Sequence, residues 1–404
     1  MVIIMLAEPF QKAKPIVEKI KAHGYNVYFV GGCVRDFLLH RPIEDIDIAT
    51  SAKPIELQNL FSSVIPVGIE HGTVIIRHQN ESYEVTTFRI DGKYTDQRHP
   101  DDVTYVDNIE KDLERRDFTI NALAMDLKGN IIDLFAGRSD LHNHVIRTVG
   151  NGEERFREDP LRIIRALRFS SQLGFTVHPD TIEHIRKVKH EMKGLAVERI
   201  TREFTKLFAG DYVRHGLTYL KDLEIYEYLP VFDQHHSLIL RIPRNIKPLP
   251  LFHEVLVLFH FLDRTIPLLT WVKAWKCSNK QKNAAMNLTK QLDELQANDL
   301  TPWLVYQLPR ALYNSFIRLT NCLHSKKNIT MEQLLQIEQT LPIASRSDIK
   351  LSGQDIIDLF PAFKQGPWIQ QLLNKLERKV VAGQLPNDYY KLKEWIKWNP
   401  PAIN

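Results

Sequence analysis

The hydrophobic spacing of the chain changes once, near Gly152, and that change limits what it can fold into. Before it, Val27-Tyr28-Phe29-Val30, Gly72-Thr73-Val74-Ile75-Ile76-Arg77 and Tyr83-Glu84-Val85-Thr86-Thr87-Phe88 have the make-up of strands, mixed with helical stretches. After it, strand signals nearly vanish and apolar residues recur at three and four, as in Leu161, Ile164, Leu167 and in Ile182, Ile185, Val188. An α/β or α+β unit is therefore expected first, with an all-helical remainder behind it.

A length of 404 residues suggests two or three domains. Breaks near Gly210, around Arg241 to Pro250 and around Thr340 to Ser352 subdivide the helical part. From Arg89 to Val106 the chain is polar, with Asp91-Gly92 and His99-Pro100 as breakers, and reads as a long loop of the kind that is often functional. Asp107 to Ala124 reads as helical. With 44% hydrophobic and 25% charged residues, neither wholesale disorder nor a fibrous architecture is indicated.

Lys plus Arg (53) slightly exceeds Asp plus Glu (49), which is compatible with a polyanionic partner. Cys33, Cys277 and Cys322 have no paired short spacing, so a disulfide framework or structural zinc site has no support, and a cytoplasmic setting fits. The apolar opening Met1 to Ala7 lacks a basic leading segment and reads as a docked or loose terminus. The run Pro248 to Leu262 is interrupted by His253, Glu254 and His260, so a buried helix is expected there rather than a membrane span.

Two constellations in the first third carry chemistry. Val30-Gly31-Gly32-Cys33-Val34-Arg35-Asp36 is a strand running through two glycines into a helix, a place where backbone N–H groups can approach a phosphate and Arg35 can donate to it. A plain chain reversal would look the same. Glu44-Asp45-Ile46-Asp47-Ile48 follows, and on a strand Asp45 and Asp47 share a face. Two carboxylates that close repel unless cations lie between them, and magnesium there would activate a 3′-hydroxyl and stabilise departing pyrophosphate.

Together, Gly31-Gly32 through Arg35 and Asp45-x-Asp47 resemble motif A of the DNA polymerase β-like nucleotidyltransferases. That superfamily usually has a third acidic group, for which Glu84 is the candidate; a solvent-facing strand glutamate is the alternative. Arg115-Arg116-Asp117-Phe118-Thr119-Ile120-Asn121-Ala122 is similar to motif B of the tRNA nucleotidyltransferases. There Arg116 would clamp phosphates, while Asp117 and Asn121, expected on one helical face, would bind a ribose. A capped helix start is the other reading. Asp133-Leu134-Phe135-Ala136-Gly137-Arg138 resembles motif C.

Glu158-Asp159-Pro160-Leu161-Arg162 is similar to the family's Glu-Asp-x-x-Arg motif D, continued by Arg165 and Arg168 at three-residue steps. Asp159 before Pro160 also has the form of a helix cap, which would leave the stepped arginines unexplained. Cytosine and adenine each present an amino donor beside a ring-nitrogen acceptor, whereas guanine and uracil present a carbonyl beside an N–H. An accepting Asp159 with a donating Arg162 matches the first two bases and mismatches the others. Ala196 to Glu203 resembles motif E, a brace for this helix or an ordinary solvated face. Lys273, Lys276, Lys280, Lys282, Lys375, Arg378 and Lys379 could meet RNA phosphates or simply face water.

The motif order A to E over residues 27 to 208 is that of the bacterial class II CCA-adding enzymes of the bacillus type. This resemblance implies an α+β fold: a nucleotidyltransferase head with a small mixed sheet (1–140), then an all-helical neck with the base-reading motif (141–208), body (209–340) and tail (341–404). It implies Mg2+ on Asp45 and Asp47, with Glu84 as a further catalytic carboxylate. Gly32, Arg35, Arg116, Asp117, Asn121, Asp159, Arg162, Arg165 and Arg168 would bind nucleotide. CTP, ATP and tRNA would be the partners, in a homodimer without membrane contact. The rivals are a bacterial poly(A) polymerase, a partial enzyme adding only CC, and, in another class, a catalytically inactive RNA-binding protein.

Overall fold

In the computed structural model, residues 6–92, 102–323 and 327–400 are described. Helix α1 (Glu8–Ala22) buries Phe10, Ala13, Ile16, Val17 and Ile20, a helical stripe that packs on the sheet through Phe10 and Phe29, whose ring centroids are 4.8 Å apart. The sheet is built from β1 (Val27–Val30), β2 (Asp47–Thr50), β3 (Val64–Gly68), β4 (Thr73–His78), β5 (Glu81–Thr87), β8 (Leu123–Met125) and β9 (Ile131–Asp133) in the order β3-β4-β5-β2-β1-β8-β9. Its pairings are antiparallel except β2 with β5, which run parallel, so the sheet is mixed as expected. Helices α2 (Gly32–Leu38), α3 (Pro54–Leu60), α4 (Ile109–Glu114) and α5 (Gly137–His142) connect the strands. Ile109 and Leu113 of α4 join Val30, Ala49, Phe88 and Ala124 in one apolar core.

The local readings need three corrections. The segment expected as a loop carries a short antiparallel ladder of β6 (Arg89–Asp91) with β7 (Val103–Tyr105), in register Ile90 opposite Thr104. Residues 93–101 of that segment, like the first five of the chain, lie outside the described residues. The helix expected over Asp107 to Ala124 stops at Glu114, because the backbone beyond it pairs elsewhere: Phe118 bridges Thr148 and the Val149 N–H donates to the Asp117 carbonyl at 3.2 Å. Only a short 3-10 turn, Thr119–Asn121, follows. Finally, β2 begins at Asp47, so Asp45 lies ahead of the strand. Its partner β1 is matched only as far as Phe29 opposite Ile48, and the chain turns away at Gly31.

Beyond the sheet the first unit, which ends at Leu240, is helical: α6 (Gly152–Glu158), α7 (Leu161–Leu173), α8 (Pro179–Val188), α9 (Val197–Phe208) and α10 (Val213–Asp222). A two-residue ladder, β10 (Val145–Ile146) with β11 (Thr176–Val177), is the exception. Most of α7 is buried, Arg162 and Arg168 included.

The second unit runs from Arg241 and contains α11 (Phe252–Leu262), α12 (Leu268–Ala274), α13 (Asn279–Asn298), α14 (Pro302–Gln307), α15 (Tyr313–Leu323), α16 (Met331–Thr340), α17 (Gly353–Leu359), α18 (Pro367–Val381) and α19 (Tyr389–Trp398). Helix α11 is buried from Val255 to His260, the use expected of that apolar run. Ile343, Ile356, Leu376, Val380, Leu392 and Ile396 form a separate core under the last three helices. Among the described residues no helix is long and apolar enough to cross a membrane.

Gly216 sets how closely α10 approaches α7: a Cβ there would stand 2.8 Å from the Leu167 carbonyl oxygen and 2.9 Å from Ser171 Cβ. The obstacle is backbone, which cannot swing aside as a side chain can. Gly216→Ala should therefore cost about 1–3 kcal/mol of stability, read as a lowered thermal midpoint by circular dichroism. An unchanged midpoint would mean that the helices separate freely.

Candidate active site

A cavity of about 890 Å³ opens in the first unit, and every catalytic and nucleotide-binding residue nominated from the sequence lines it: Asp45, Asp47 and Glu84; Gly32, Arg35 and Arg116; Asp117 and Asn121; Asp159, Arg162, Arg165 and Arg168. Strand β1 ends at its floor in Gly31, held at φ 72°, which a side chain rarely tolerates. A Cβ on Gly31 would also lie 2.7 Å from Arg116 Nη1, so the glycine gives this guanidinium its place. Arg35, on α2, donates from Nε and Nη2 to the two Asp36 carboxylate oxygens at 3.0 and 2.8 Å, and from Nη1 to Asn121 Oδ1 at 2.8 Å.

The carboxylates come from two neighbouring parallel strands. Asp47 opens β2 directly beside Glu84 of β5, and Asp45 precedes them on an exposed segment. Burial pushes the Asp47 carboxyl above the usual aspartate range, and the negative charge of Asp45 adds to this, against relief from Arg116 and Arg35. Glu84 is raised for the same reasons, burial first and then Asp47 and Asp45. Among the described residues no group of three or more His, Cys, Asp or Glu side chains is arranged to hold a metal ion.

Asp117 and Asn121 do meet, but across a turn rather than along a helix: Asn121 Nδ2 donates to Asp117 Oδ1 at 3.0 Å. The Phe118 N–H reaches the same oxygen at 2.8 Å, and Arg165 Nε and Nη2 donate to Oδ2 at 2.7 and 2.5 Å. Burial alone would raise this carboxyl; Arg165, Asn121 and Arg162 outweigh it and hold it well below the usual range. Both residues are thus engaged within the protein.

Asp159 and Arg162 line the same cavity; the Arg162 N–H donates to the Asp159 carbonyl at 3.0 Å, while their side chains bond to other partners. Asp159 Oδ1 accepts the Leu161 N–H at 3.1 Å, as a capping carboxylate would, while Oδ2 accepts Arg199 Nη2 at 2.8 Å. One oxygen of this carboxylate thus makes the contact expected of a cap, and the other is held by a residue of α9. Arg162 Nη1 donates to Glu158 Oε2 at 2.8 Å and to the Arg155 carbonyl at 3.0 Å, and Nη2 donates to the Arg115 carbonyl at 3.1 Å. Arg168 has its guanidinium 4.1 Å from the Phe169 ring centroid, and its Nε is 3.2 Å from Glu203 Oε2 in a charge contact that lacks hydrogen-bond alignment. Burial, with Arg165 beside it, lowers Arg168 to about 10.

Within the segment Ala196 to Glu203, read from the sequence as a brace or a solvated face, Arg199 and Glu203 are the groups that meet Asp159 and Arg168, which favours the brace. Other members escaped the sequence reading. Asp36 and Asp112 hold arginines of the site. Asp112 stands three and four residues before Arg115 and Arg116, a helical ion-pair spacing that could have flagged it. Arg89 and Lys206, also at the cavity, carry no such signal.

Residues 27–147 match the Poly A polymerase head domain family, residues 174–235 the family described as a probable RNA and SrmB-binding site of polymerase A, and residues 257–396 the putative tRNA nucleotidyltransferase domain 2. A CCA-adding enzyme of Oceanobacillus iheyensis is 51% identical over 401 residues, 99% of this chain and 100% of that protein. The chain belongs to the CCA-adding enzyme family. A CCA-adding enzyme of Anoxybacillus flavithermus is 40% identical, covering 98% of this chain and 99% of its own length. The crystal structure of the Bacillus stearothermophilus CCA-adding enzyme in complex with CTP superposes with a TM-score of 0.88 at 34% identity, over 98% of each chain. A Thermotoga maritima CCA-adding enzyme, 21% identical with a TM-score of 0.64 over 98% of this chain and 97% of its own, shares the fold.

Since burial and Asp45 both raise Asp47, the metal-free protein should take up a proton at Asp47 at a higher pH than free aspartate does. Asp45→Asn removes one of the two causes and should move that titration down. Carboxyl-carbon NMR titration checks both, and an Asp47 that titrates below ordinary aspartate contradicts the arrangement.

Proposed function

We propose that this chain adds CCA to the 3′ end of tRNA, transferring CMP, CMP and AMP from CTP and ATP without a template and releasing pyrophosphate. The observation that carries the reading is the meeting of two chemistries in one cavity. The carboxylates Asp45 and Asp47 lie beside phosphate-type donors Gly32, Arg35 and Arg116, and the Asp159–Arg162 turn of α7 lines the same space. Membership of the family over the full length makes the whole activity, rather than the head alone, the natural conclusion.

The carboxylate set suits Mg2+: Asp45 and Asp47 would hold it, with Glu84 beside them, and phosphate oxygens would complete its shell. When bound it would raise the acidity of the RNA 3′-hydroxyl and offset charge on the reacting phosphates. Gly31 and Gly32 let the backbone come close to the triphosphate, and Arg35 and Arg116 neutralise it. The RNA hydroxyl attacks the α-phosphorus, and the bond to pyrophosphate breaks.

Base choice falls to protein groups. Asp159 offers acceptor capacity to an exocyclic amine, and Arg162, with Nη1 occupied twice and Nη2 once, has N–H groups left for a ring nitrogen. Both suit cytosine and adenine. Arg165 and Arg168, held by Asp117 and Glu203, support the helix they stand on. In this reading 1–140 is the catalytic head, 141–208 the neck, 209–340 the body and 341–404 the tail.

The direct test is incorporation of labelled CTP and ATP into tRNA lacking its CCA end, with the product sequenced. Two C and one A are expected; A residues alone, with CTP ignored, would make the chain a poly(A) polymerase. Asp47→Ala should lower nucleotide addition by about three orders of magnitude or more while tRNA binding persists, and near-normal turnover would remove Asp47 from the chemistry.

A second test separates base reading from capping. Asp159→Ala should raise UTP misincorporation relative to CTP, since Arg162 is left able to donate to a uracil carbonyl. If Asp159→Asn and Asp159→Ala both kept the native nucleotide preference and only the alanine variant lost stability, Asp159 would be a cap alone.

A further inference from the structure

Asp112 has no part in the chemistry above, yet it is the most deeply buried acid at the edge of the cavity, with no exposed surface. Its two oxygens are shared between two arginines. Oδ1 accepts Arg115 Nε and Nη2 at 3.0 and 2.7 Å, and Oδ2 accepts Arg116 Nη2 at 3.2 Å. Both arginines line the cavity.

The far end of the Arg116 guanidinium is also set. Nη1 donates to the Asn121 carbonyl at 3.4 Å and lies against Gly31, in the space a Cβ would need. This guanidinium is therefore stretched between α4 and the glycine turn at which the triphosphate would arrive. Arg115 reaches Asp91 Oδ2 at 3.5 Å, and Asp91 Oδ1 holds Arg89 Nε at 2.7 Å. Three guanidinium groups thus crowd two carboxylates, and Asp112 is the one that Arg115 and Arg116 share.

We infer that Asp112 is a positioning residue for the triphosphate: it makes no contact with nucleotide, and it sets the direction in which Arg116 meets the phosphates. This rests on reading the cavity as a nucleoside triphosphate site. A carboxylate is needed because both of its oxygens must accept. Asparagine could serve Arg115 with its oxygen, but it would then turn an NH2 toward Arg116 Nη2, donor against donor. The guanidinium would have to leave the line between Asp112 and Asn121, and Arg115 and Arg116 would stand together with less negative charge between them. The phosphates, common to CTP and ATP, should feel this equally for both nucleotides, whereas the base-reading turn should not.

The test uses the full chain and equilibrium binding by calorimetry, with inorganic pyrophosphate and CTP as probes and tRNA lacking CCA as the control. Asp112→Asn should weaken pyrophosphate and CTP by about tenfold, as expected for the loss of a well-directed charge-assisted contact, with tRNA affinity unchanged. Asp112→Glu, which keeps the charge, should recover part of the loss. In turnover, KM for CTP and for ATP should rise by the same factor. A purely structural Asp112 predicts a different result: a lower melting temperature and fewer active molecules, with the dissociation constant for pyrophosphate within twofold of the unmodified chain, which would overturn the inference. If the single variant does not fold, Asp112→Asn with Arg115→Gln removes one charge of each sign and carries the same expectation, since Arg116 loses its carboxylate there too. An unmodified chain that binds no pyrophosphate also overturns it. An unmodified chain that binds pyrophosphate but adds no CCA refutes the proposed function and leaves the assignment of Asp112 standing.

Discussion

The contact in which Arg165 Nε and Nη2 both donate to Asp117 Oδ2 is the interaction on which the site depends. Asp117 belongs to the turn after α4, and Arg165 to the middle of α7, so this ion pair ties the sheet-bearing segment to the helix with the base-reading turn. Neither charge can be released cheaply, since the aspartate is buried and breaking a buried pair typically costs about 3–5 kcal/mol. From Asp117 the hydrogen bonds run through Asn121 to Arg35 on one side and, by way of Arg165, approach Glu203 and Arg168 on the other. The Gly31–Arg35 end and the α7–α9 end of the cavity are thus held in one polar network.

That network also accounts for the number of arginines in one place. Arg35 has Asp36, Arg116 has Asp112, Arg165 has Asp117, Arg162 has Glu158, and Arg199 has Asp159. Each guanidinium has a carboxylate that orients it, and Arg35, Arg116 and Arg162 are further fixed by carbonyl or amide oxygens. Pairing lowers the electrostatic cost of keeping so much positive charge in a half-enclosed space before any triphosphate arrives. It also directs the charge, so that the site is shaped before it is filled.

The parts of this arrangement that were legible in the sequence are those encoded locally. The strands at Val27, Thr73 and Tyr83 show themselves by β-branched and aromatic runs, and the helices after Gly152 by their spacing. Gly31-Gly32, Asp45, Asp47 and the arginine steps of α7 could be nominated because, in this order, they resemble motifs A and D of a known family; each feature alone is common. What was hidden depends on partners far along the chain. Nothing near Asp107 to Ala124 announces that Phe118 will bridge Thr148 and so end a helix early. Nothing near Asp159 shows that its second oxygen will meet Arg199, forty positions away. The very short strands β8 and β9 carry too little pattern to be read at all, although β8 is wholly buried.

The parallel pairing of β2 with β5 has a consequence in time. Strand β2 cannot meet β5 through a tight turn, because α3, β3 and β4 intervene, and Asp47 reaches Glu84 only after the sheet has closed around them. Arg116 follows later in the chain, Asp159 and Arg162 later again, and Glu203 last. A nascent chain therefore carries the aspartates long before it can use them. Synthesis must pass α9 before all the groups that line the cavity are present together, so under the proposed function a shorter product would lack a complete site.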